Sequence, residues 1–223
     1  MPKVTTEERA TYTPIVKPVA FKAALIRPNA RQRKALDRPC SPPPGLFAAH
    51  DAISEEVAKE ALQYIQQEQF TGYFGKVRPR CTGLNRRAIF GNQPSAHRPR
   101  ATPTLEAPLL RLYKEAVTNV SSFTPTAEPD ACTVNVYPTG TGVAAHNDGA
   151  RFCNEVVGVT LHSNPIKPSA MRFRHNALAY TLQTPHASVY VMSGEVYRLW
   201  IHERLKVSKG GDVVSFTFRS NKK

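Results

Sequence analysis

"ACTVNVYPTGTGVAAHNDG", running from Ala131 to Gly149, decides how the rest of the chain is read. The alternation in "TVNVY" suits a strand, and "PTGTG" supplies the turn that follows it. The stretch then closes on His146, Asn147 and Asp148. In an extended segment, residues two apart face the same way, so His146 and Asp148 point together while Asn147 turns aside. This is either two parts of a metal site or three polar residues in a loop. The tripeptide alone does not separate those readings.

Downstream, the same texture continues. "VVGVTLH", "MRFRH", "SVYVM", "VYRLWIH" and "DVVSFTFRS" are short alternating runs, divided by turn-formers such as "SNPIKPS" and "SKGGD". Upstream lie two amphipathic helices. "SEEVAKEALQYIQQEQF" has Ser54 as a cap, Glu55 and Glu56 at its positive end, and Val57, Ala61, Leu62 and Ile65 on one face. "TPTLEAPLLRLYKEAVTNVSS" carries a stripe of Leu109, Leu112, Tyr113, Ala116 and Val120. Two helices followed by many short strands predict an α+β fold, a β-sandwich or barrel with helices packed on one face. Residues 1–47 are basic and proline-rich, close on "RPCSPPPG", and read as an N-terminal arm before a domain spanning 48–223.

The chain of 223 residues carries 30 Lys and Arg against 17 Asp and Glu, a formal charge of +13. Such an excess favours a polyanionic partner, nucleic acid first, over a surface kept basic only for solubility. Part of the charge is concentrated in "GKVRPRCTGLNRRAIFGNQPSAHRPR", where Lys76, Arg78, Arg80, Arg86, Arg87, Arg98 and Arg100 occur without an acid. Phe74, Phe90 and His97 are interleaved with them. Guanidinium groups neutralise phosphates and aromatic faces stack on bases, so the mixture suits a nucleic-acid-facing loop, although a solvated basic loop has the same composition. The four cysteines are widely spaced and lack a C-x-x-C pair, which fits reduced thiols in an intracellular protein. Nuclear, cytoplasmic and mitochondrial compartments are not distinguished. No apolar run approaches the roughly 18 residues of a membrane span, and oligomeric state has no signature here.

A third ligand for the His146 and Asp148 pair must come from another strand. His202 is the strongest candidate because it ends the hydrophobic run "VYRLWIH"; His162, and His186 in "QTPHAS", are weaker. Two histidines and a carboxylate are the ligand set of non-haem Fe(II) centres, which keep open positions for a co-substrate and dioxygen. The same three residues could bind zinc or serve only structure. Three flanking motifs add to the ligand set. "TVNVYPTGTGVAAHNDG" places Asn135, of an N-x-Y pair, eleven residues ahead of His146. It resembles the entry to the iron site in the AlkB family of Fe(II)/2-oxoglutarate dioxygenases. "MSGEVYRLWIHERL" is similar to that family's stretch around the distal histidine, and "VSFTFRS" to its terminal strand.

The resemblance covers residues from about 130 to 220 and implies a double-stranded β-helix, or jelly-roll, barrel braced by the N-terminal helices. It implies that His146, Asp148 and His202 hold Fe(II). Asn135, Tyr137, Ser215 and Arg219 would then bind 2-oxoglutarate. Residues 71–100 would form a lid over a nucleotide, with the seven basic residues named above on it. The activity implied is hydroxylation of a modified base, or its demethylation with release of formaldehyde, in RNA before DNA. One departure stands out: Val213 occupies the place, six residues before Arg219, where the family carries a further arginine. Arg219 alone, or another basic residue such as Arg172, Arg174 or Arg198, would then serve the co-substrate. Otherwise the fold is a catalytically weakened RNA-binding scaffold of a ribonucleoprotein. A protein hydroxylase or demethylase on the same barrel is a further alternative.

Overall fold

The alternating runs of the C-terminal half become strands in the computed structural model, which describes residues 38–70, 75–76, 81–82, 86–91, 104–149, 152–163, 169–208 and 211–222. The elements in chain order are β1 (Arg38–Pro39), β2 (Leu46–Ala49), α1 (Glu55–Phe70), β3 (Gly75–Lys76), β4 (Cys81–Thr82), β5 (Arg86–Gly91) and α2 (Ala107–Thr118). Then follow β6 (Ala131–Tyr137), β7 (Gly142–His146), β8 (Glu155–His162), β9 (Ser169–His175), β10 (Leu178–Thr184) and β11 (Ser188–Ser193). The chain ends through α3 (Gly194–Leu199), β12 (Ile201–Arg204) and β13 (Val213–Arg219).

These strands form two sheets. The larger runs β2-β11-β8-β13-β6-β5-β3 and the smaller β1-β10-β9-β12-β7-β4. Every neighbouring pair is antiparallel except β1 with β10. From residue 131 the chain crosses repeatedly between the sheets: β6, β8, β11 and β13 lie in the larger and β7, β9, β10 and β12 in the smaller, the one break in alternation being the β9–β10 hairpin. That winding is a double-stranded β-helix, and it closes a barrel between the sheets.

Strand periodicity gives the larger sheet two unlike faces. Cys132, Val134, Val136, Val157, Val159, Leu161, Val214, Phe216 and Phe218 turn outward into one apolar cluster with α1 and α2. Both predicted helices form and use the predicted stripes. Val57, Ala61 and Ile65 of α1 are buried with Leu62 partly so, and Leu109, Leu112, Tyr113, Ala116 and Val120 are all buried. Ser54 Oγ accepts from the Val57 amide at 3.4 Å, and Glu115 of α2 binds the Ser54 amide at 2.9 Å, which ties the two helices at one end. Arg111 reaches Glu56 and Glu60 at 2.7 Å each, but these pairs are exposed and worth little.

The opposite face looks into the barrel and is largely polar. Thr133, Thr160, Ser215, Thr217 and Arg219 line it from the larger sheet, with Ser169, Thr184, His202 and Arg204 on the smaller one. A second apolar cluster, including Phe152, Phe173, Tyr190, Met192 and Trp200, fills the rest of the interior.

Three expectations need correction. The run "VYRLWIH" is not one strand: Val196 and Tyr197 belong to α3, and only Ile201 and His202 enter β12. The reason is spacing, because a helical turn carries Val196 and Trp200, four residues apart, into the interior cluster. An extended run would have pointed Arg198 the same way as Val196. Residues 38–39 and 46–47, expected in the arm, contribute strands that pair with β10 and β11. Phe90 is not a stacking platform; it is buried at 1% exposure against the Tyr64 ring. Residues 1–37, Phe74 and His97 lie outside the described residues.

Candidate metal centre and its pocket

The turn after β7 and the first half of β12 bring three ligating side chains together. His202 is the direct cross-strand partner of His146, and their rings sit 4.5 Å apart between centroids. Gly142 makes this close approach of β7 to β12 possible. A Cβ there would stand 2.5 Å from the Arg204 carbonyl oxygen, which no side chain tolerates. Asp148 follows β7, and the next carbonyl, that of Gly149, accepts a 2.9 Å hydrogen bond from the Tyr197 hydroxyl of α3. The helix that the sequence disguised as a strand thus pins the turn that carries the carboxylate. Among the described residues, His146, Asp148 and His202 are the group whose ligand atoms converge, all within 4.8 Å of one another.

The donor set fits a metal ion. His146 Nδ1 donates to the Ala144 carbonyl at 2.8 Å, which leaves the lone pair on Nε2. His202 is buried, and burial is the chief cause that pushes its imidazole down to about 4, so it stands neutral as a ligand must. Asp148 is nearly inaccessible. Burial opposes its charge, but the Arg219 guanidinium, with His202 and His146, outweighs that and holds the carboxyl below its usual value. Its Oδ1 accepts from Arg219 Nη2, whereas Oδ2 is buried without a hydrogen-bond partner and lies 3.8 Å from His202 Nε2. A buried carboxylate oxygen is costly unless something binds it. A cation between the two imidazoles and that oxygen supplies what is missing.

Comparison with known proteins agrees with this geometry. The protein described as "The structure of OsALKBH1" superposes with a TM-score of 0.64 at 14% identity, over 82% of this chain and 99% of that one. The mouse tRNA (carboxymethyluridine(34)-5-O)-methyltransferase ALKBH8 is 28% identical over 169 residues, 72% of this chain. In sequence the chain is similar to this AlkB homologue, and in fold to the preceding one. A Macaca fascicularis protein of the same name is 36% identical over 77 residues, 34% of this chain. The matched segments span only 24% and 11% of these two relatives' own length. A Pseudomonas putida prolyl-4-hydroxylase shares the fold at a TM-score of 0.53 and 13% identity, over 80% of this chain and 94% of its own. No family model matches the chain.

Within this AlkB-like barrel, the residues expected to bind a co-substrate share one face. Asn135 and Tyr137 of β6 pair across to Ser215 and Val213 of β13. Arg219 lies inside, donating to Thr133 Oγ1 at 3.0 Å and to Asp148, with its guanidinium over the Phe152 ring at 5.1 Å. Val213 packs in an apolar cluster with Tyr137, Val207 and Val143. Arg172 and Arg174 alternate with the buried Met171 and Phe173 and so point out of the barrel, near Glu203 at 3.8 and 3.4 Å. Arg198 lies exposed on α3 and donates to the Gly194 carbonyl at 3.2 Å. His162 and His186 neighbour each other, with His162 Nε2 on the Thr184 carbonyl at 3.2 Å, and neither joins the triad.

Sequence reasoning missed Arg204. It is 2% exposed, and its guanidinium lies 5.4 Å from the Tyr137 ring centroid. A signal was present: Arg204 stands two residues after His202, hence on the same face of its strand. Tyr190 was missed as well. Its ring occupies the space left by Gly158, where a Cβ would meet it at 2.1 Å.

Of the expected lid, the backbone alone is placed. β5 continues the larger sheet with Arg86 opposite Val136 and Arg87 opposite Asn135, and β4 flanks β7 with Cys81 opposite Val143. Arg78, Arg80, Arg98 and Arg100 lie outside the described residues, as do the side chains of Lys76, Arg86 and Arg87.

Proposed function

We propose that the protein is an Fe(II)/2-oxoglutarate-dependent oxygenase that hydroxylates or demethylates a modified base in nucleic acid, RNA before DNA. The observation that carries this reading is the buried Oδ2 of Asp148, without a hydrogen-bond partner, converging with the ligand nitrogens of His146 and His202. His146, Asp148 and His202 would hold the iron, with Asn135, Tyr137 and Ser215 lining the co-substrate space beside it. Bound together, Fe(II) and 2-oxoglutarate would use one dioxygen to give succinate, carbon dioxide and a hydroxylated substrate carbon. The chain's own groups orient and shield: Arg219 fixes the rotamer and charge of Asp148, and the Ala144 carbonyl fixes the tautomer of His146.

Support for a nucleic-acid substrate comes from charge and placement. Within the basic stretch, β4 pairs with β7, which ends at His146, and β5 pairs with β6, which bears Asn135. The name of the mouse relative specifies a tRNA uridine, although the match spans a quarter of that protein. A single-stranded or looped substrate suits such a site, because a base must leave its stack to be oxidised.

With Fe(II), 2-oxoglutarate and oxygen, the protein is expected to form succinate slowly, and His146→Ala or Asp148→Ala to abolish it. Binding of single-stranded RNA should weaken steeply with salt, and replacing Arg86 and Arg87 by Ala should lower that slope by about 1.4. A second reading, an RNA-binding scaffold without catalysis, is favoured by Val213 lying in an apolar cluster. It is the conclusion if RNA binds but neither succinate nor 2-oxoglutarate binding is found.

A further inference from the structure

Among the described residues, the buried Arg204 cation has no anionic partner. Its Nη1 donates to Ser169 Oγ at 2.7 Å and to Thr184 Oγ1 at 3.3 Å, while Nη2 donates to Thr160 Oγ1 at 3.1 Å and approaches Ser215 Oγ at 3.5 Å. All four acceptors are neutral hydroxyls, and among the described residues Arg204 enters no ion pair. Hydroxyls solvate a guanidinium but do not neutralise it, and an uncompensated charge in a protein interior is expensive. A hydroxyl that accepts from arginine still has its own proton to give. Ser169 donates to the Thr184 carbonyl at 3.1 Å and shares a 2.8 Å bond with the Thr184 hydroxyl, and Ser215 is hydrogen-bonded to Tyr190, so these three hold the guanidinium while Thr160 keeps a proton beside it. The group that such a solvated but unneutralised guanidinium lacks is a carboxylate.

The guanidinium in its cup of hydroxyls lies beside the triad. Arg204 and His202 share one strand face, roughly 7 Å apart along β12. The Tyr190 phenol lies within reach of both regions: Ser215 hydrogen-bonds it, and Arg204, Asp148 and Arg219 all act on its ionisation. Arg219 is already engaged, one Nη on Asp148 and the other on Thr133.

We infer that Arg204, on β12, is the anion anchor of the pocket and binds the outer carboxylate of a 2-oxo dicarboxylic acid whose other end reaches the metal. The inference rests on the oxygenase reading. It assigns to β12 the task that the sequence pattern expects of β13, with the Thr160 hydroxyl as a further donor to the carboxylate and Ser169, Thr184 and Ser215 holding the guanidinium in place. A 2-oxo acid lacking the second carboxylate gains nothing from Arg204, so the anchor sets the preference for the dicarboxylate.

The test is binding to the full chain without turnover: anaerobic Fe(II) protein titrated with 2-oxoglutarate or with pyruvate, followed by the charge-transfer absorption of the chelated 2-oxo acid. Arg204→Met should weaken 2-oxoglutarate binding about a hundredfold. Pyruvate binding and Mn(II) affinity should stay within about twofold. Equal 2-oxoglutarate affinity in wild type and Arg204→Met removes the anchor and leaves the oxygenase reading standing. Wild-type protein that binds neither 2-oxo acid removes both. If Arg204→Met loses its fold, judged by Mn(II) affinity and circular dichroism, Arg204→Lys carries the test. It keeps the charge but loses the fork, so about a tenfold loss confined to 2-oxoglutarate supports the anchor. No loss, or an equal loss for both acids, overturns it.

Discussion

On the helix side of the larger sheet, Val134, Phe216 and Phe218 meet α1 and α2 in a dry cluster. On the barrel side, the residues between them, Thr133, Ser215, Thr217 and Arg219, are just as buried yet polar. The same strands supply both, because successive side chains point to opposite faces. A one-residue slip of β13 against β6 would exchange the faces, sending Arg219 into the aliphatic cluster and Phe216 toward the metal ligands. Core packing on one side therefore fixes the register on which the chemistry of the other side depends. Stability and function are drawn from different faces of one sheet, and substitutions on each should separate them.

The largest separation is expected at Phe216, fully buried on the dry face. Phe216→Ala should lower unfolding free energy by about 3–5 kcal/mol, read from denaturant melts. Mn(II) affinity of the folded fraction should hardly change, because no atom of Phe216 faces the triad. A variant that loses metal affinity in proportion to stability would show that the two faces are not independent.

Arg219 supplies the converse. Arg219→Met removes the partner of Asp148 Oδ1 and should cut Mn(II) affinity about 10–100-fold. Arg219→Lys, which keeps a cation near the carboxylate, should restore part of that loss. A purely structural arginine would shift the melt without such a charge-dependent recovery.

The legibility of the chain follows the same division. The dry face is a pattern of like residues at period two, backed by helices with period near 3.6, so its strands and stripes can be read directly. His146 and Asp148 are two apart on one face, and that too is local. Their convergence with His202 is not local, and it was reached through motif resemblance and placed by pairing of β7 with β12. Val196, Tyr197 and Trp200 were misread because a short apolar run fits helix and strand equally, and only packing against Phe152 and Tyr190 decides. Arg204 escaped because a charged residue near a chain turn is ordinarily solvent-exposed. Its burial depends on hydroxyls from β8, β9, β10 and β13, which no single segment displays.

The smallest effect is expected from His162, which belongs to the barrel face but to neither the triad nor the cup. It is buried, gives its Nε2 proton to the Thr184 carbonyl, and donates from its backbone amide to His186 Nδ1 at 3.0 Å. Burial lowers its pKa first. The Thr184 hydrogen bond opposes that shift, and Arg204 and His186 add to it. The folded protein thus resists the proton that the unfolded chain accepts near the ordinary value of 6.5. The stability contributed by neutral His162 is complete above that pH and is lost as pH falls toward the depressed folded value. His162→Gln keeps a donor for the carbonyl but cannot titrate. In metal-free protein it should therefore flatten the acid side of the stability profile by at most about 1.4 kcal/mol per pH unit below 6.5. Above pH 7.5 or so, the two profiles should run parallel. A variant whose profile steepens on the acid side would mean that His162 is protonated in the fold, which the Arg204 charge beside it opposes.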